Sequence, residues 1–245
     1  MTRQLRRPPE TQDLSRESPT VSVVLLSYNR PDYLRQAVAS IRAQSYRSIE
    51  LIVVDNPSPS SAEIAETVAA QGNVRLIRSS VNSGYAGGMN RGIESAAGRY
   101  IYLTEDDIVL DKDCIRHLVE YAKERQSGGL VSPVMYNKTE GTIRCAGGEF
   151  ALGAVYRRRT HGEGERDTGQ FARPFNVTYI DGATMFARAD LFRRLGGFRE
   201  EYFMYVEAVE FCARALKAEQ TLTVIPRARV YHFEPPADAN ASANF

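Results

Sequence analysis

The chain has few of the features that mark extracellular or membrane-spanning proteins. Its three cysteines, Cys114, Cys145 and Cys212, are odd in number and widely spaced, so they fit neither a disulfide framework nor a CxxC metal site. No apolar run approaches the roughly 18 residues that a membrane span needs. The N-terminus has no apolar stretch of the kind found in secretory signals. These absences predict a protein of the reducing cytoplasm with no transmembrane segment.

The chain also lacks an excess of charge of either sign. Its 245 residues carry a formal net charge of +1, with 43% hydrophobic and 25% charged residues. This balance argues against a nucleic-acid partner or an acidic membrane bound by bulk charge. The length and composition suit a single compact globular domain, and a homodimer is left open.

Two common nucleotide-binding fingerprints are missing as well. No GxxxxGK[ST] sequence is present, and Gly84, Gly87 and Gly88 do not form GxGxxG after the first apolar run. The two absences argue against a P-loop ATPase and against a dinucleotide-dependent dehydrogenase.

Short apolar runs alternate with helical patterns over the first half of the chain. After the first run, apolar residues recur at helical spacing from Leu34 to Ile41, and Ser60 with Glu63 predicts a capping box after the second. Alternation of this kind with short connections predicts an α/β fold, with a mostly parallel, twisted sheet and helices on both faces. The predicted strands of this half are at residues 21–26, 49–54, 74–77 and 100–104.

Beyond residue 135 the pattern is less regular. Arg157, Arg158 and Arg159 lie in a polar, glycine-rich stretch, and the run is either a solvated edge or a contact for a diphosphate or an anionic acceptor. A helix ends at Gly128, and final strands are predicted at 222–226 and 228–232. Composition predicts a disordered tail at 1–19 and a loose one at 236–245.

The fourth apolar run ends in consecutive carboxylates, Glu105, Asp106 and Asp107. Carboxylates are rarely buried unless they are paired or bind a metal, and ligands of open α/β sheets collect at this end of the strands. Hard oxygen donors here could hold Mg²⁺ or Mn²⁺, and the cation could hold a diphosphate. An acidic turn that caps the following helix explains the same residues. If the segment stays extended, Thr104 and Asp106 share one face and Glu105 and Asp107 the other.

Seven blocks in a fixed order resemble family-2 glycosyltransferases, most closely the rhamnosyl- and galactofuranosyl-transferase-like members. The resemblance covers roughly residues 20–233. The similar blocks are VVLLSYNR at 23–30, VVDNPS at 53–58, NSGYAGGMN at 82–90, LTEDD at 103–107, DGA at 181–183, GGF at 196–198 and FMYVEAVEFCAR at 203–214.

The resemblance implies a GT-A fold and transfer of a sugar from a nucleoside-diphosphate sugar with inversion. The donor half would be residues 20–110 and the acceptor and catalytic half residues 111–235. It places Glu207 as general base and Asp106 with His232 on Mg²⁺ or Mn²⁺. The residues that it implies for the nucleotide sugar are Ser27, Tyr28, Asn29, Arg30, Asp55, Asn82, Gly84, Asn90, Thr104, Glu105, Asp106, Asp181 and Gly182.

The implied roles match the chemistry of these residue types. A divalent cation neutralises charge on a departing diphosphate, and a carboxylate can deprotonate the acceptor hydroxyl. Without the family, Asp55 would be a turn cap, His232 a structural histidine and Glu207 an exposed helical residue. The acceptor, whether a glycan, a lipid-linked sugar or a small molecule, is left open.

Four positions depart from the family pattern: Thr104 replaces the first Asp of the DxD segment, Ala208 the second acid of the ED pair, Arg199 an Asp and Pro57 a glycine. The metal register among residues 105–107 is therefore open. A second hypothesis is a catalytically impaired sugar-nucleotide-binding relative. A nucleotidyltransferase ranks third, because residues 27–32 supply no basic glycine-rich loop.

Overall fold

The computed structural model describes residues 20–125, 129–151 and 157–233. The two predicted tails and the predicted helix stop at Gly128 lie outside the described residues, as does the side chain of Arg157. The described residues form one ten-stranded sheet, a separate two-stranded hairpin and helices that pack on the sheet. None of these helices has the combination of length and apolar character that crossing a bilayer requires.

Strands and helices alternate through the first half, as the apolar pattern predicts. The strands are β1 (Val21–Ser27), β2 (Ile49–Asp55), β3 (Arg75–Arg78), β4 (Tyr100–Glu105), β5 (Ile108–Leu110), β6 (Leu130–Asn137), β7 (Ile143–Cys145), β8 (Gly148–Ala151), β9 (Arg157–Thr160), β10 (Phe175–Val177), β11 (Phe186–Arg188) and β12 (Leu222–His232). The helices are α1 (Pro31–Arg42), α2 (Ser61–Ala70), α3 (Gly84–Ser95), α4 (Cys114–Arg125), α5 (Ala189–Arg194) and α6 (Glu207–Lys217), with 3₁₀ turns at Gly182–Thr184 and Glu200–Tyr202.

The large sheet has the order β10-β12-β6-β11-β4-β1-β2-β3, with β5 beside β12 and β7 beside β6. The pairs β1/β2, β1/β4, β2/β3 and β6/β12 are parallel, whereas β11 is antiparallel to both of its neighbours. Strand β1 is buried along its whole length, as its continuous apolar sequence predicts for a central parallel strand. The predicted α/β class is confirmed.

Local packing confirms the amphipathic reading of α1. Its four buried residues share one face at helical spacing, and Pro31 occupies the first turn, where its missing N–H costs nothing. The buried residues are Leu34, Ala37, Val38 and Ile41.

Several local predictions are wrong. Ser60 makes no side-chain capping bond; instead the Ser61 hydroxyl accepts from the N–H of Ser58 at 3.0 Å and donates to Asp55 at 3.2 Å. The two predicted final strands are one strand, β12, with a register shift between Ile225 and Arg229 that accommodates the proline between them. The acidic segment does not stay extended, because β4 ends at Glu105 and the next two residues turn.

Parallel pairing brings the carboxyl ends of several strands to one edge of the sheet. Ser27 lies opposite Asp55, and Leu26 lies opposite Glu105. The end of β12 reaches the same region through β5, where His232 pairs with Ile108. The polar residues that follow these strands therefore collect at one edge.

Candidate active site

Asp106 joins the acidic turn to β1. Its carboxylate accepts hydrogen bonds from the Ser27 hydroxyl at 2.8 Å and from the Tyr28 N–H at 3.0 Å, and its own N–H donates to the carbonyl of Leu26 at 3.1 Å. Burial, reinforced by the charge of Asp107, raises the pKa of Asp106 to about 7 despite those hydrogen bonds. One oxygen of the Asp106 carboxylate is therefore already engaged by Ser27 and Tyr28.

Asp107 faces a different set of partners. One carboxylate oxygen accepts from the Arg30 guanidinium and lies 3.6 Å from Nε2 of His232. The other oxygen of Asp107 and the Nδ1 atom of His232 are both buried and have no hydrogen-bond partner among residues 20–125, 129–151 and 157–233. Burial lowers the pKa of His232, so its imidazole is neutral at neutral pH and able to ligate a metal. The histidine that the family resemblance groups with Asp106 therefore lies directly against Asp107.

Carboxylates are crowded at this edge. Burial, together with the charges of Asp107, Asp181 and Asp106, holds the pKa of Glu105 well above its usual range. No three His, Cys, Asp or Glu side chains among the described residues converge as a ready-made metal site. The oxygen of Asp107 and the neutral imidazole of His232 nevertheless fit a divalent cation that shares its remaining ligands with a substrate, since the negative cluster favours a positive charge.

The predicted nucleotide residues of β1 and β2 lie along the same edge. Asp55 is buried, accepts from Ser61 and lies 3.7 Å from the Arg78 guanidinium. Burial raises the pKa of Asp55, and these two partners only partly offset that effect. Tyr28 is 38% exposed at the rim, and Asn29 adopts the left-handed backbone conformation with φ of 59°. Asn29 thereby turns the chain from β1 into α1.

The asparagines of the glycine-rich segment have two different structural roles. The side chain of Asn82 accepts from the N–H of Gly84, and the Asn56 amide donates to the Gly84 carbonyl, both at 2.9 Å, so Asn82 and Asn56 shape the loop at the start of α3. The amide of Asn90 instead binds the N–H and the carbonyl of Phe198 at 2.8 and 2.9 Å. Asn90 therefore joins α3 to the chain after α5, and its role in closing a nucleotide pocket stays a prediction.

Asp181 and Gly182 form a polar turn on the other side of the edge. The Asp181 carboxylate accepts from the N–H of Ala183 at 3.1 Å and from the Tyr179 hydroxyl at 3.3 Å. The Arg158 guanidinium donates to that same hydroxyl at 2.9 Å. Arg158 therefore connects the arginine run to the acidic edge through Tyr179, although Arg158 and Arg159 are both exposed residues.

Glu207 is the first residue of α6 and is buried, with 4% of its surface exposed. Within the part of the chain that the structure describes, one of its carboxylate oxygens is buried without a partner, and burial, with a smaller contribution from Asp181, raises its pKa. Glu210, one turn later, pairs instead with Arg199 at 3.0 Å and with Arg214 at 2.6 Å. The two acids on this helical face are thus distinct: Glu210 forms ion pairs with neighbouring arginines, and the role of Glu207 as general base stays a prediction.

Sequence reasoning passed over two parts of this site. The sequence offers Asp107 only as one of three alternatives in the metal register, because its contact with His232 depends on a pairing between strands distant in the chain. Tyr85 was not singled out, although it lies inside the glycine-rich segment. Its hydroxyl is buried among the acids of this edge, as described below.

The described fold is the GT-A fold of glycosyltransferases that use nucleotide sugars. The structure of GalNAc-T7 with UDP, GalNAc and Mn²⁺ aligns with a TM-score of 0.73 at 17% identity, covering 90% of this chain and 45% of that one. TarS of Staphylococcus aureus aligns with a TM-score of 0.66 at 18% identity, covering 91% of this chain and 38% of that one. The chain thus spans less than half the length of either.

The family model described as glycosyl transferase family 2 matches residues 22–196. The chain belongs to that family, which confirms the resemblance and the glycosyltransferase class. The N-acetylglucosaminyl-diphospho-decaprenol L-rhamnosyltransferase of Mycobacterium tuberculosis is 25% identical over 230 residues, 86% of this chain and 75% of the relative. Glycosyltransferase GlyG of Streptococcus pneumoniae is 32% identical over 129 residues, 51% of this chain and 43% of the relative.

Proposed function

We propose that the chain is a metal-dependent, inverting glycosyltransferase that moves a sugar from a nucleoside-diphosphate sugar to an acceptor hydroxyl. The observation that carries the proposal is the buried carboxylate of Glu207, one oxygen of which has no hydrogen-bond partner among the described residues. The charge of Asp181 contributes to the raised pKa of both Glu105 and Glu207, so both groups lie near that residue. A base close to a diphosphate-binding edge suits sugar transfer.

The donor nucleotide would lie along the carboxyl ends of β1 and β2. Tyr28 is exposed at the rim and suits contact with the base, and Asp55 is a buried acceptor for a base or ribose donor. Asn82 and Gly84 shape the loop that borders the same edge. Arg30 is a planar cation that suits diphosphate oxygens.

The cation ligands that we propose are Asp107 and His232. The family resemblance assigns Asp106, but that carboxylate already accepts from Ser27 and Tyr28, whereas Asp107 and His232 each keep a buried atom with no partner in the described part of the chain. Bound Mg²⁺ or Mn²⁺ would neutralise the charge that develops on the departing diphosphate. The Mn²⁺ named with the structurally similar GalNAc-T7 supports a metal of this kind.

The chemical step that we assign to Glu207 is removal of the proton from the acceptor hydroxyl. Burial raises its pKa, which makes its carboxylate a stronger base than an exposed one. The acceptor oxygen then attacks the anomeric carbon from the face opposite the diphosphate. One displacement of this kind inverts the anomeric centre.

The acceptor would approach over the segment just before α6. Tyr202, Tyr205 and Val206 are 39%, 73% and 49% exposed there, so the segment just before Glu207 presents large apolar side chains to solvent. The name of the mycobacterial relative makes an L-rhamnosyl donor and a prenyl-diphosphate-linked sugar the first pair to test. Glycans and small molecules are the other acceptor classes.

One observation favours the second candidate, a binding relative with impaired catalysis. Ala208 is buried where the family has its second acid, so the site carries one carboxylate fewer than the pattern. This candidate binds the donor but turns it over neither to an acceptor nor to water.

Calorimetric titration of UDP, dTDP and GDP, each with Mn²⁺ and with EDTA, tests the donor site. We expect one diphosphate to bind with Mn²⁺, and the binding to weaken at least about tenfold in Asp107→Asn and in His232→Gln, since changing even an outer partner of a metal ligand costs about 10- to 100-fold in metal affinity. Asp32→Asn removes an 84% exposed carboxylate and is the matched control. Absence of binding by all three diphosphates would contradict the proposal.

Glu207→Gln tests the base separately. We expect it to bind the diphosphate with unchanged affinity and to lower the transfer rate by about 10²- to 10⁴-fold, the usual contribution of a general base. Glu201→Gln, at an exposed acid of the preceding turn, is the control. Transfer at the wild-type rate in Glu207→Gln would exclude this base, and diphosphate binding without turnover in the wild type would favour the second candidate.

A further inference from the structure

The hydroxyl of Tyr85 is an unused polar group inside the candidate site. Tyr85 is the second residue of α3, is 3% exposed, and packs edge to face on Phe198 with ring centroids 5.5 Å apart. Its Oη atom is buried and has no hydrogen-bond partner within the described part of the chain. A buried hydroxyl without a partner costs free energy, so its retention calls for an explanation.

The surroundings of this hydroxyl belong to the active site. Burial, together with the charges of Glu105, Glu207 and Asp181, holds the pKa of Tyr85 well above its usual range. The phenol is therefore protonated at any physiological pH and can donate a hydrogen bond. The three acids come from the end of β4, the start of α6 and the turn between β10 and β11, so Tyr85 lies where these elements meet.

Two small residues border the hydroxyl. A Cβ atom added at Gly182 would lie 3.0 Å from Oη of Tyr85 and 3.2 Å from Cβ of Ala208, so the hydroxyl and the Ala208 methyl group both pack closely against Gly182. Ala208 brings no polar atom to this contact, although the family pattern has a carboxylate at that position. The site therefore keeps a donor hydroxyl next to a glycine and an alanine, neither of which has a side-chain atom that can accept from it.

The order of groups in the proposed reaction shows what could accept this hydrogen bond. The diphosphate lies at the end of β4 near Glu105, the base is Glu207, and the transferred sugar must lie between the leaving diphosphate and the attacking oxygen. The hydroxyl of Tyr85 packs against Gly182 beside Ala208, the residues that follow Asp181 and Glu207 in the chain, and the charges of both Glu105 and Glu207 act on it. A hydrogen-bond donor close to both of those ends is placed to meet the sugar ring.

We propose that the Tyr85 hydroxyl donates a hydrogen bond to an oxygen of the transferred sugar and so helps to select the donor sugar. This inference rests on the proposed function and specifies a contact within it. A site that presents a buried donor loses affinity for a ligand that lacks the matching acceptor, because the hydroxyl is then left unpartnered.

The test compares a nucleoside diphosphate with its sugar conjugates in the full chain. Tyr85→Phe removes one oxygen and keeps the ring that packs on Phe198. UDP, dTDP and GDP identify the nucleotide, and the corresponding sugar nucleotides, among them UDP-glucose, UDP-N-acetylglucosamine, dTDP-L-rhamnose and GDP-mannose, are then titrated with Mn²⁺. Tyr100→Phe is the control, because Tyr100 is equally buried but begins β4 at the opposite edge of the sheet.

We expect Tyr85→Phe to bind the diphosphate as the wild type does and to bind the preferred sugar nucleotide about tenfold more weakly. A donor deoxygenated at the contacted position should bind the wild type more weakly by a similar factor and should bind Tyr85→Phe with no further loss. Tyr100→Phe should match the wild type for both ligands.

Two results would overturn the inference alone. One is an equal loss of affinity for the diphosphate and the sugar nucleotide in Tyr85→Phe, which would mean that the hydroxyl acts through the fold. The other is unchanged affinity for every sugar nucleotide that the wild type binds. If the wild type bound no diphosphate, the proposed function would fail first, and the inference would fail with it.

Discussion

Asp106 and Asp107 are neighbours in the sequence, yet they have different partners. Because β4 ends at Glu105, the alternation of an extended strand does not apply to the two residues that follow. Asp106 turns toward β1, where Ser27 and Tyr28 bind its carboxylate, and Asp107 turns toward Arg30 and His232. A shift of one residue therefore changes which carboxylate is available to a cation.

The environment of Asp106 predicts a measurable dependence of stability on pH. Its carboxyl group has a pKa of about 7 when folded, against 3.8 for the unfolded group. Between those values the folded state binds more protons, so the free energy of unfolding falls as pH rises through this interval. Asp106→Asn keeps an oxygen that can accept from Ser27 and does not titrate.

Thermal unfolding of both proteins from pH 4 to 8 without divalent cations would measure this effect. We expect the wild type to lose stability relative to Asp106→Asn as the pH rises from about 4 towards 7, and the difference to level off above 7, where the carboxyl group is ionised in both states. Curves that stay parallel over the whole range would mean that the folded carboxyl titrates at its usual value.

At the scale of elements, the start of α3 contacts the segment around Phe203, which leads to Glu207. The N–H of Ala86 donates to the carbonyl of Phe203 at 3.3 Å. Phe203 and Tyr205 both have positive φ values, 54° and 80°, which are costly for residues with side chains. Contact with α3 stabilises this strained path and so places the first turn of α6.

Gly84→Ala tests that contact. A Cβ atom at Gly84 would overlap the carbonyl of Phe203 and lie 2.7 Å from Cγ of its ring, at a φ of +66°. We expect a loss of about 3 kcal/mol in the free energy of unfolding, the sum of backbone strain and overpacking. Urea denaturation monitored by circular dichroism would measure it.

Gly72→Ala is the matched control, since Gly72 has a similar φ of +55° but nothing within 4 Å of an added Cβ. We expect it to lose only about 1 kcal/mol, which is the backbone part of the cost. Equal losses in the two variants would show that the Phe203 contact adds nothing.

At the scale of the whole molecule, the sheet crosses the predicted division between a donor half and an acceptor half. Strand β11, from the second half, lies between β4 and β6 and pairs with β4 at three positions from Tyr100 to Tyr102. Strand β5, from the first half, pairs only with β12 among the described strands. The division at residue 110 remains a prediction about function within one continuous sheet.

This continuity predicts how a fragment behaves. A fragment of residues 20–110 contains β1 to β5, but it lacks β11, which pairs with β4, and β12, which pairs with β5. The fragment therefore exposes an apolar sheet edge. We expect the full chain to unfold in one cooperative urea transition and the fragment to show none. A cooperative transition in the fragment would mean that the donor half folds alone.

The sequence by itself was enough to predict the α/β class, the buried strands, the apolar face of α1 and the family. These depend on periodicity and on residue types that are close together in the chain, so local reasoning reaches them. The boundary errors have the same origin: a proline inside an apolar run suggested two strands, but the bulge after Ile225 lets one strand continue.

The tertiary structure alone decided which groups face one another in the candidate site. Asp107 meets His232, Arg158 reaches Asp181 through Tyr179, and the Tyr85 hydroxyl lies among acids from three elements. Each of these contacts joins residues that are distant in the sequence, and strand order and register set their positions. Burial, which shifts the pKa values of Asp106 and Glu207, is likewise a property of the packed chain and not of any local segment.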